Sequence, residues 1–401
     1  MLFNKKTLSD MDFKQKSVIV RCDFNVPLDE KGNVADDKRI VAAIPTIKYL
    51  MEKKAKVILL SHLGRPKGQY SKAFSLAPVA KRISEILKVN VKFLESEQVV
   101  DDSIKEKVSS AQYGDVILLE NTRFREEEKK NGVNFSKELA SLGELYVNDA
   151  FGTAHRAHSS NVGIASLLPS CVGLLVEKEL EIMGKAMSDA DKPFTVILGG
   201  SKVSDKIGVI KNLALSADYI LIGGGMMFTF LKATGCEIGT SIVEEDQLET
   251  ARTIIEFCKE RGVQLILPSD VVVADSFSNG ASFKSVSTTE IPPKMMGLDI
   301  GEETVKLFAD IISKSKTVLW NGPMGVFEME KFAKGTLGVA KALAGADATT
   351  IIGGGDSASA IHKFGLEDKM THISTGGGAS LKLFEGGELP GIECISNKGE
   401  M

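Results

Sequence analysis

Residues 194–206 read FTVILGGSKVSDK, an apolar run that ends in two glycines and continues into a polar segment. The apolar part shows no alternation of polar and apolar residues, which is typical of a strand covered on both faces in a parallel sheet. Glycines at the end of such a strand let backbone N–H groups approach an anion at the start of the following helix. The stretch therefore predicts a strand, a tight turn and a helix, which is the repeating unit of an α/β fold.

The same unit recurs along the chain. Further strand-like runs lie at residues 17–20, 56–60, 115–120, 144–149, 219–225, 263–268, 316–322, 349–355 and 371–375. Helix-like runs lie between many of them, for example at residues 39–54, 76–88, 246–262 and 301–315. Repeated strand–helix units predict parallel sheets covered by helices.

The chain also divides by composition. Seven of the nine arginines lie at or before Arg156, whereas all three glycine triplets follow it, so one half is suited to bind anions with side chains and the other with backbone. Between the halves, residues 173–193 combine helical spacing of leucines and methionines with a polar end. We interpret them as a linking helix between an N-terminal domain, residues 1–172, and a C-terminal domain, residues 194–387. An ordinary surface helix of one large domain is the alternative.

Overall composition narrows the class of protein. A length of 401 residues suggests two or three domains, and a net charge of -4 gives no indication of nucleic-acid binding. The five cysteines are scattered without a C-x-x-C pair, which favours a reduced, intracellular protein. The first residues lack an apolar signal region, and no apolar run approaches the roughly 20 residues that span a bilayer. We therefore predict a cytoplasmic protein without a membrane-bound part.

Ligands of open α/β sheets bind beyond the carboxyl ends of the strands, and in the first half these ends carry cationic side chains. The loops read RCDFN (21–25), SHLGR (61–65), ENTRF (120–124) and NDAFGTAHR (148–156). Together with the start of the first long helix they supply Arg39, Arg65, Arg123, Arg156, His62 and His155. Arginine binds carboxylates and phosphates in bidentate geometry. The sequence therefore predicts a site for a small ligand that carries several negative charges.

His155 and His158 are three residues apart in the stretch NDAFGTAHRAHSS (148–160), so a metal site has to be considered. A metal site would need a third ligand, for which Asp149 is the only nearby candidate, and Arg156 would repel the ion. An anion site that includes His155 and Arg156 is the favoured interpretation. A metal site, and a purely structural role for His158, remain alternatives.

Glycine-rich turns follow five strand-like runs of the second half. They read GGSKVSDK (199–206), GGGMM (223–227), NGPMGVFE (321–328), GGGDSA (353–358) and STGGGAS (374–380). One such turn is a weak signal, because glycine also marks ordinary tight turns. Five at strand ends of one domain predict a surface of backbone N–H groups that binds phosphates.

Charged residues within these turns add a possible metal and cation contribution. Lys202 and Lys206 lie one helical turn apart, and Asp356 is a candidate ligand of Mg²⁺, which prefers one or two carboxylates together with phosphate oxygens. A solvated surface lysine is the alternative for Lys206. The motifs of P-loop enzymes, dinucleotide-binding dehydrogenases and protein kinases are missing, which disfavours those classes.

Nine stretches taken jointly resemble the phosphoglycerate kinase family. They are RCDFNVP, SHLGRP, LLENTRF, NDAFGTAHRAHSS, GGSKVSDKI, GLDIG, WNGPMGVFE, GGGDS and STGGGAS. They occur in the family's order and cover the chain from about residue 20 to about residue 385. Two flanking positions depart from the family: PPKMM, before GLDIG, lacks an expected aromatic residue, and Val41 stands where a basic residue is common. Neither departure affects a candidate catalytic residue.

This resemblance implies two Rossmann-like domains, each a parallel sheet covered by helices, that face each other across a hinged cleft. It implies reversible, Mg²⁺-dependent transfer of a phosphoryl group between 1,3-bisphosphoglycerate and ADP, which gives 3-phosphoglycerate and ATP. The transfer is expected to be direct and in line, after domain closure. The resemblance further implies a cytoplasmic monomer, and it places the tail, residues 388–401, against the N-terminal domain.

The resemblance also implies which residues form the site. Those expected to bind phosphoglycerate are Asp23, Phe24, Asn25, Arg39, His62, Leu63, Gly64, Arg65, Arg123 and Arg156. Those expected to bind the nucleotide are Lys202, Lys206, Gly297, Glu328 at the ribose, Gly353, Gly354, Gly355, Asp356 at the metal, and Ser357. The expected catalytic residues are Arg39, Lys206, Gly376 and Gly377, where the glycines, with Gly378, offer backbone N–H groups to the transferring phosphoryl group.

Two other classes of protein remain alternatives. One is a catalytically inactive protein with two binding sites, which the loss of Arg39, Lys206 or Asp356 would have favoured; all three are present. The other is a dehydrogenase of small acids, which the missing dinucleotide fingerprint disfavours.

Overall fold

Strand β1 (Ser17–Cys22) lies inside the first of two six-stranded sheets of the computed structural model, which describes residues 4–399. The other strands of this sheet are β2 (Lys56–Leu60), β3 (Val91–Leu94), β4 (Val116–Leu119), β5 (Leu145–Asp149) and β6 (Ser170–Val172). Their spatial order is β3-β4-β2-β1-β5-β6, and every neighbouring pair is parallel. Val18, Ile19 and Val20 are fully buried, so both faces of β1 are covered, which explains its unbroken apolar pattern.

Five helices accompany this sheet along the chain. They are α1 (Lys38–Glu52), α2 (Ala77–Leu87), α3 (Asp102–Ser110), α4 (Val133–Ala140) and α5 (Leu174–Ser188). The amphipathic pattern of α1 buries Ile40, Ala43, Ile47 and Leu50 on one face, which joins the core on β1 and β2.

The chain divides into two compact units. One unit extends to Glu181 and includes the segment from Glu388 onward, and the other is Ile182–Gly387. The boundary falls within α5, which occupies most of the segment where the sequence predicts a linking helix.

The second unit contains two sheets. Its strands are β7 (Phe194–Leu198), β8 (Tyr219–Ile222), β9 (Gln264–Ile266), β10 (Asp270–Ala274), β11 (Phe283–Ser287), β12 (Met296–Ile300), β13 (Thr317–Asn321), β14 (Thr349–Gly353) and β15 (His372–Ile373). The larger sheet is parallel, in the order β15-β14-β13-β7-β8-β9, and the smaller is antiparallel, in the order β11-β10-β12. The strand order reverses between β7 and β13, where open α/β sheets bind ligands.

The helices of the second unit, and one short helix after it, complete the set. They are α6 (Ile207–Leu213), α7 (Met227–Ala233), α8 (Leu248–Glu260), α9 (Glu302–Lys314), α10 (Lys334–Ala344), α11 (Gly355–Lys363), α12 (Gly378–Phe384) and α13 (Pro390–Glu393). None of the helices within residues 4–399 combines the length and the apolar character that crossing a bilayer requires.

The segment that carries α13 belongs to the first unit although it is last in the chain. Lys5 Nζ donates to the carbonyl oxygens of Glu393 and Ile395, at 2.8 and 2.9 Å. Asn148 Nδ2 donates to Gly391 O at 2.6 Å, just beyond the middle of β5. The segment that carries α13 is thus joined to Lys5 and to β5 within one unit.

The predicted fold class, two parallel sheets covered by helices, is confirmed. All ten predicted strands and the predicted helices are present, with ends that differ by a few residues. The strands β3, β6 and β10–β12 were not predicted. β6 has only three residues, β3 and β11 are partly exposed and contain polar residues, and the apolar run of β10 pairs in an antiparallel sheet, which local apolar pattern does not distinguish.

Candidate active site

The loop after β1 fixes an arginine of α1. Arg39 Nη1 donates to Asp23 Oδ2 and to the carbonyl oxygen of Asn25, both at 3.1 Å. The side-chain Oδ1 of Asn25 accepts a hydrogen bond from the backbone N of Gly64 at 2.8 Å, which ties this loop to the loop after β2. Phe24 is fully buried, so it anchors the loop in the core while its neighbours point towards polar partners.

The loop after β2 is packed too tightly for a side chain at Gly64. This glycine has φ of 59°, and a Cβ atom there would lie 2.4 Å from the ring of Phe74. Asn121 Nδ2 donates to Leu63 O at 2.7 Å, and Arg123 Nη1 donates to Gly64 O at 2.8 Å. The loop after β4 therefore holds the loop after β2, and both contribute to one edge of the sheet.

Cationic groups accumulate at this edge with few carboxylates to balance them. Arg123 is buried, its Nε has no partner among the described residues, and burial, followed by repulsion from Arg21 and Arg156, lowers its pKa to about 10. Arg65 and Arg156 are exposed, and Arg156 Nε donates to His155 Nε2 at 3.0 Å. Uncompensated guanidinium groups of this kind favour the binding of an anion.

The histidines at this edge are neutral. Burial, followed by repulsion from Arg21, lowers the pKa of His62 well below its ordinary range and that of His158 to about 3. Burial, followed by Arg156, lowers the pKa of His155. Among residues 4–399 no group of three or more His, Cys, Asp or Glu side chains has an arrangement that could hold a metal ion. These histidines are therefore suited to hydrogen bonding within an anion site.

Arg21 is a further candidate residue of this site, which the sequence pattern alone does not assign to it. It lies near the end of β1, opposite Leu60 of β2 and Asn148 of β5, and its side chain is almost fully buried. Its Nε donates to Ser160 Oγ at 2.7 Å, and its Nη2 lies 3.1 Å from His62 Nδ1. The available signal was its position as the first residue of the loop RCDFN, but burial of a charged side chain cannot be read from that pattern.

In the second unit, glycine-rich strand ends surround a cavity of about 600 Å³. Four of the five predicted glycine-rich turns contribute to its lining, and the turn at 223–227 does not. The lining residues include Gly199, Gly200, Lys202, Lys206, Asn321, Gly322, Gly354, Gly355, Asp356, Ser357, Gly377 and Gly378. The cavity lies where β7, β13 and β14 end, which is the expected ligand position of this sheet topology.

Lys206 and Asp356 bring opposite charges to this cavity. Lys206 Nζ donates to Asn321 Oδ1, and burial lowers the pKa of the lysine. Asp356 is exposed and lies in the first turn of α11. Asn321, which sequence reasoning did not assign, pairs in the sheet with both Leu198 and Gly353 and so lies between the glycine-rich turns.

Two predicted residues have polar groups that are already engaged within the protein. Ser357 Oγ accepts a hydrogen bond from Gly322 N at 2.6 Å, and Ser357 is fully buried. The backbone N of Gly376 donates to Ser374 Oγ at 3.0 Å. Gly377, with φ of 47°, lines the cavity and lies immediately before α12.

Gly297 and Glu328 do not line this cavity. Gly297 lies in β12, and a Cβ atom there would lie 2.0 Å from the ring of Phe228, so the ring packs directly on the glycine backbone. Glu328 is exposed, and its carbonyl oxygen accepts a hydrogen bond from Lys363 Nζ at 3.2 Å. The structure thus brings most of the predicted phosphate-binding residues together at the cavity, whereas Gly297, Glu328, Gly353 and Gly376 are not among the residues that line it.

A buried carboxyl group beside Gly297 gives a prediction about pH. Asp299 is fully buried, and burial raises its pKa to about 8, although Gly335 N and Ile300 N donate to its oxygens at 2.7 and 2.9 Å. Because the pKa of Asp299 is higher in the folded than in the unfolded state, protonation of this carboxyl group stabilises the fold. This stabilisation is complete below about pH 4 and is lost as the pH rises through 8, by at most about 1.4 kcal/mol per pH unit. In denaturant titrations, the stability difference between wild type and Asp299→Asn should narrow from pH 6 to pH 9. A constant difference over that range would contradict the prediction.

The fold and these two sites define a phosphotransferase: a parallel α/β protein with a cationic site for a small anion and a glycine-lined cavity suited to the phosphates of a nucleotide. Comparisons with known proteins give the family. A sequence model described as "Phosphoglycerate kinase" matches residues 8–387. The chain belongs to the phosphoglycerate kinase family, whose members are kinases with a carboxyl group as acceptor.

Relatives and solved structures agree with this membership. The chain is 58% identical to the phosphoglycerate kinase of Clostridium kluyveri over 399 residues, which are 99% of this chain and 100% of that one. It is 55% identical to the enzyme of Finegoldia magna over 395 residues, 98% of this chain and 100% of that one. The structure of phosphoglycerate kinase from Coxiella burnetii is similar with a TM-score of 0.89 at 39% identity, covering 97% of this chain and 98% of that chain.

Proposed function

We propose that the protein catalyses the reversible transfer of a phosphoryl group from the acyl phosphate of 1,3-bisphosphoglycerate to ADP, which gives 3-phosphoglycerate and ATP. The observation that carries this proposal is the pairing, in a member of this family, of an arginine-rich set of strand ends in one unit with a glycine-lined cavity in the other. The protein acts as a monomer in the cytoplasm.

The phosphoglycerate site is the cationic edge of the first sheet. The residues that bind the substrate are Asp23, Phe24, Asn25, Arg39, His62, Leu63, Gly64, Arg65, Arg123 and Arg156. Phosphoglycerate carries a carboxylate and a phosphate, and each can accept two parallel hydrogen bonds from a guanidinium group. The exposed Arg65 and Arg156, and the unpartnered Nε of Arg123, support this assignment.

The glycine-lined cavity binds the phosphates of the nucleotide, and Gly297 and Glu328, which do not line it, contact the nucleoside part, with Glu328 at the ribose. The residues that bind ADP or ATP are Lys202, Lys206, Gly297, Glu328, Gly353, Gly354, Gly355, Asp356 and Ser357. Asp356 is exposed at the cavity and fits Mg²⁺, because this ion binds one or two carboxylates and completes its coordination with phosphate oxygens and water. When bound, the ion would neutralise phosphate charge.

The reaction needs positioning and positive charge more than proton transfer. The acceptor is already a carboxylate or a phosphate, so no general base is required, which agrees with the neutral histidines. Phosphoryl transfer proceeds in line and spreads charge over the equatorial oxygens. Arg39, Lys206 and the backbone around Gly376 and Gly377 stabilise that charge.

Replacing Arg65 or Arg123 by alanine should weaken 3-phosphoglycerate binding by about 10- to 100-fold, because a hydrogen bond to a charged group contributes about 1.5–3 kcal/mol. ADP binding should stay nearly unchanged, since both arginines belong to the first unit. Calorimetric titration of each ligand measures both effects. Arg82→Ala is the control, because Arg82 is a partly exposed arginine of α2 that pairs with Asp37 and Glu85. An equal loss of nucleotide affinity would argue against one ligand in each unit.

If each unit binds its own ligand, the reacting oxygens must come within about 3–3.5 Å for transfer. Each ligand alone can shift the domains only by its differential affinity for the closed state. The radius of gyration in solution should therefore fall most with both ligands and less with either one. Small-angle scattering of the free, singly liganded and doubly liganded protein measures this. Full contraction with a single ligand would rule out closure driven by both.

A coupled assay that follows ATP formation from 1,3-bisphosphoglycerate and ADP tests the proposed function directly. Activity should disappear when EDTA removes divalent ions and return with added Mg²⁺. Binding of both ligands without turnover would instead indicate an inactive binding protein. A change in reduced-cofactor absorbance without ATP formation would indicate a dehydrogenase.

A further inference from the structure

A chain of hydrogen bonds runs beneath the cationic site of the first unit and ends on His62. Glu128 Oε1 accepts from Ser160 Oγ at 2.5 Å, and Ser160 Oγ in turn accepts from Arg21 Nε at 2.7 Å. A second nitrogen of the same guanidinium, Nη2, lies 3.1 Å from His62 Nδ1. We call these four residues the Glu128 chain.

Every member of the Glu128 chain is buried. Glu128 and Ser160 have no exposed surface, Arg21 retains 1% and His62 4%. Burial is unexpected for Glu128, which lies within the charged run EEEKK, a short 3-10 helix at Glu126–Lys130. A buried carboxylate needs well-aligned hydrogen-bond donors, because they must offset the free energy of its desolvation.

The partners of Glu128 leave its carboxylate little freedom. Besides the hydroxyl of Ser160, Oε1 accepts from Thr122 Oγ1 at 3.1 Å, and Oε2 accepts from the backbone N of Ser160 at 3.0 Å. Tyr146 donates from its hydroxyl to Ser160 O at 3.1 Å. The acceptor of the chain is thus fixed by three donors, and the serine is fixed on both sides.

The direction of every proton in the chain follows from the chemistry of arginine. A guanidinium group has only donors, so Ser160 Oγ and His62 Nδ1 must both act as acceptors towards Arg21. The hydroxyl proton of Ser160 is then directed at Glu128. With Nδ1 accepting, the single proton of the neutral His62 ring is on Nε2.

Two further contacts bear on this tautomer. Asp23 Oδ1 lies 4.0 Å from His62 Nδ1, too far to accept a proton from it. Within residues 4–399, the hydrogen bond of the His62 ring is the contact of Nδ1 with Arg21, and Nε2 forms none with a protein group. The Glu128 chain therefore leaves the Nε2–H group of His62 as an unpaired donor at the cationic edge of the sheet.

We propose that Glu128 and Ser160 are positioning residues that act through Arg21 to hold His62 as the neutral Nε2–H tautomer, which donates a hydrogen bond to an oxygen of the anionic substrate. This inference rests on the proposed function for the identity of the substrate. A neutral donor suits this place, because burial and the neighbouring Arg21, Arg123 and Arg39 lower the pKa of the His62 imidazole.

The tautomer is tested first, in the free wild-type protein. Nitrogen-15 NMR of histidine side chains separates protonated from unprotonated ring nitrogens, and the chain has only five histidines. His62→Gln serves to assign the resonance. We expect a protonated Nε2 and an unprotonated Nδ1 for His62, and the opposite pattern or a doubly protonated ring would overturn the proposal.

The chain is tested next with adjacent serines. Ser160→Ala removes the link to Arg21, whereas Ser159→Ala removes a buried hydroxyl that donates to Glu127 O at 3.0 Å and does not contact Arg21. Ser160→Ala should mix the His62 tautomers and weaken 3-phosphoglycerate binding about 10-fold, with ADP binding unchanged. Ser159→Ala should do neither.

Several outcomes separate the proposal from its alternatives. Equal loss of affinity in both serine variants, or an unchanged His62 spectrum in Ser160→Ala, would overturn it. If Ser160→Ala does not fold, Glu128→Gln, which keeps the volume but removes the charged acceptor, is expected to change the His62 spectrum in the same way. If the wild type does not bind 3-phosphoglycerate, the proposed function fails, while the wild-type tautomer still decides whether the Glu128 chain sets the state of His62.

Discussion

Replacing Arg39 by alanine should lower kcat by about 10²–10³, which corresponds to about 2.7–4 kcal/mol for one contact to charge that develops in the transition state. One nitrogen of Arg39 is held by Asp23 and by the Asn25 carbonyl, and the side chain is 39% exposed, so the remaining donors can meet a ligand. The substitution also leaves Asp23 without its cation beside an anionic substrate. Steady-state kinetics in both directions measures the effect.

Two companion variants make this result specific. Lys48→Ala removes an exposed positive charge from the same helix and should leave kcat unchanged. Arg39→Lys keeps the charge but not the paired donors, so it should recover only part of the rate. A raised KM with an unchanged kcat in Arg39→Ala would assign Arg39 to ground-state binding.

Lys206→Ala should lower kcat by about 10²-fold or more, because Lys206 is the partly buried cation of the nucleotide cavity and faces the transferring phosphoryl group in the proposed mechanism. The ammonium group needs little reorganisation when the transition state forms, because its hydrogen bond to Asn321 Oδ1 already holds it at the strand ends. Single-turnover measurements with saturating ligands separate the chemical step from binding.

The matched control is Lys211→Ala, which removes an exposed lysine from the last turn of the adjoining helix, α6. It should change neither ADP affinity nor turnover. If Lys206→Ala reduces ADP affinity but leaves the single-turnover rate intact, the lysine binds the nucleotide without stabilising the transition state. A thermal unfolding curve close to that of wild type is needed for either interpretation.

Most of the predicted strands share one physical property, although β9 is partly exposed. Strands such as β1, β7 and β13 are covered on both faces, so a run of consecutive apolar residues is enough to predict them. The candidate site residues at their carboxyl ends are predicted for a related reason, because parallel strands bring their carboxyl ends to one edge of the sheet. The antiparallel strands β10–β12 were missed, since pairing direction depends on partners that are distant in sequence.

The sequence also does not show which charged side chains are buried. Glu128 reads as part of a solvated charge run, and Arg21 as one arginine among several, because the pattern of a segment does not show which of its polar side chains a distant strand or turn covers. Asn321 is not predicted for a similar reason. Its position between the glycine-rich turns results from pairing with β7 and β14, which its own motif does not show.

The packing of the segment that carries α13 on the first unit affects the order in which the protein can fold during synthesis. Ribosomes deliver a chain from its N-terminus, and domains generally fold in that order. Here Gly391 N donates to Ala154 O at 2.8 Å, in the loop that carries Arg156. Lys5 Nζ donates to the carbonyl oxygens of Glu393 and Ile395. These partners follow the second unit in the chain and are translated after it. The first unit consequently cannot form these contacts until all residues of the second unit, Ile182–Gly387, have been made.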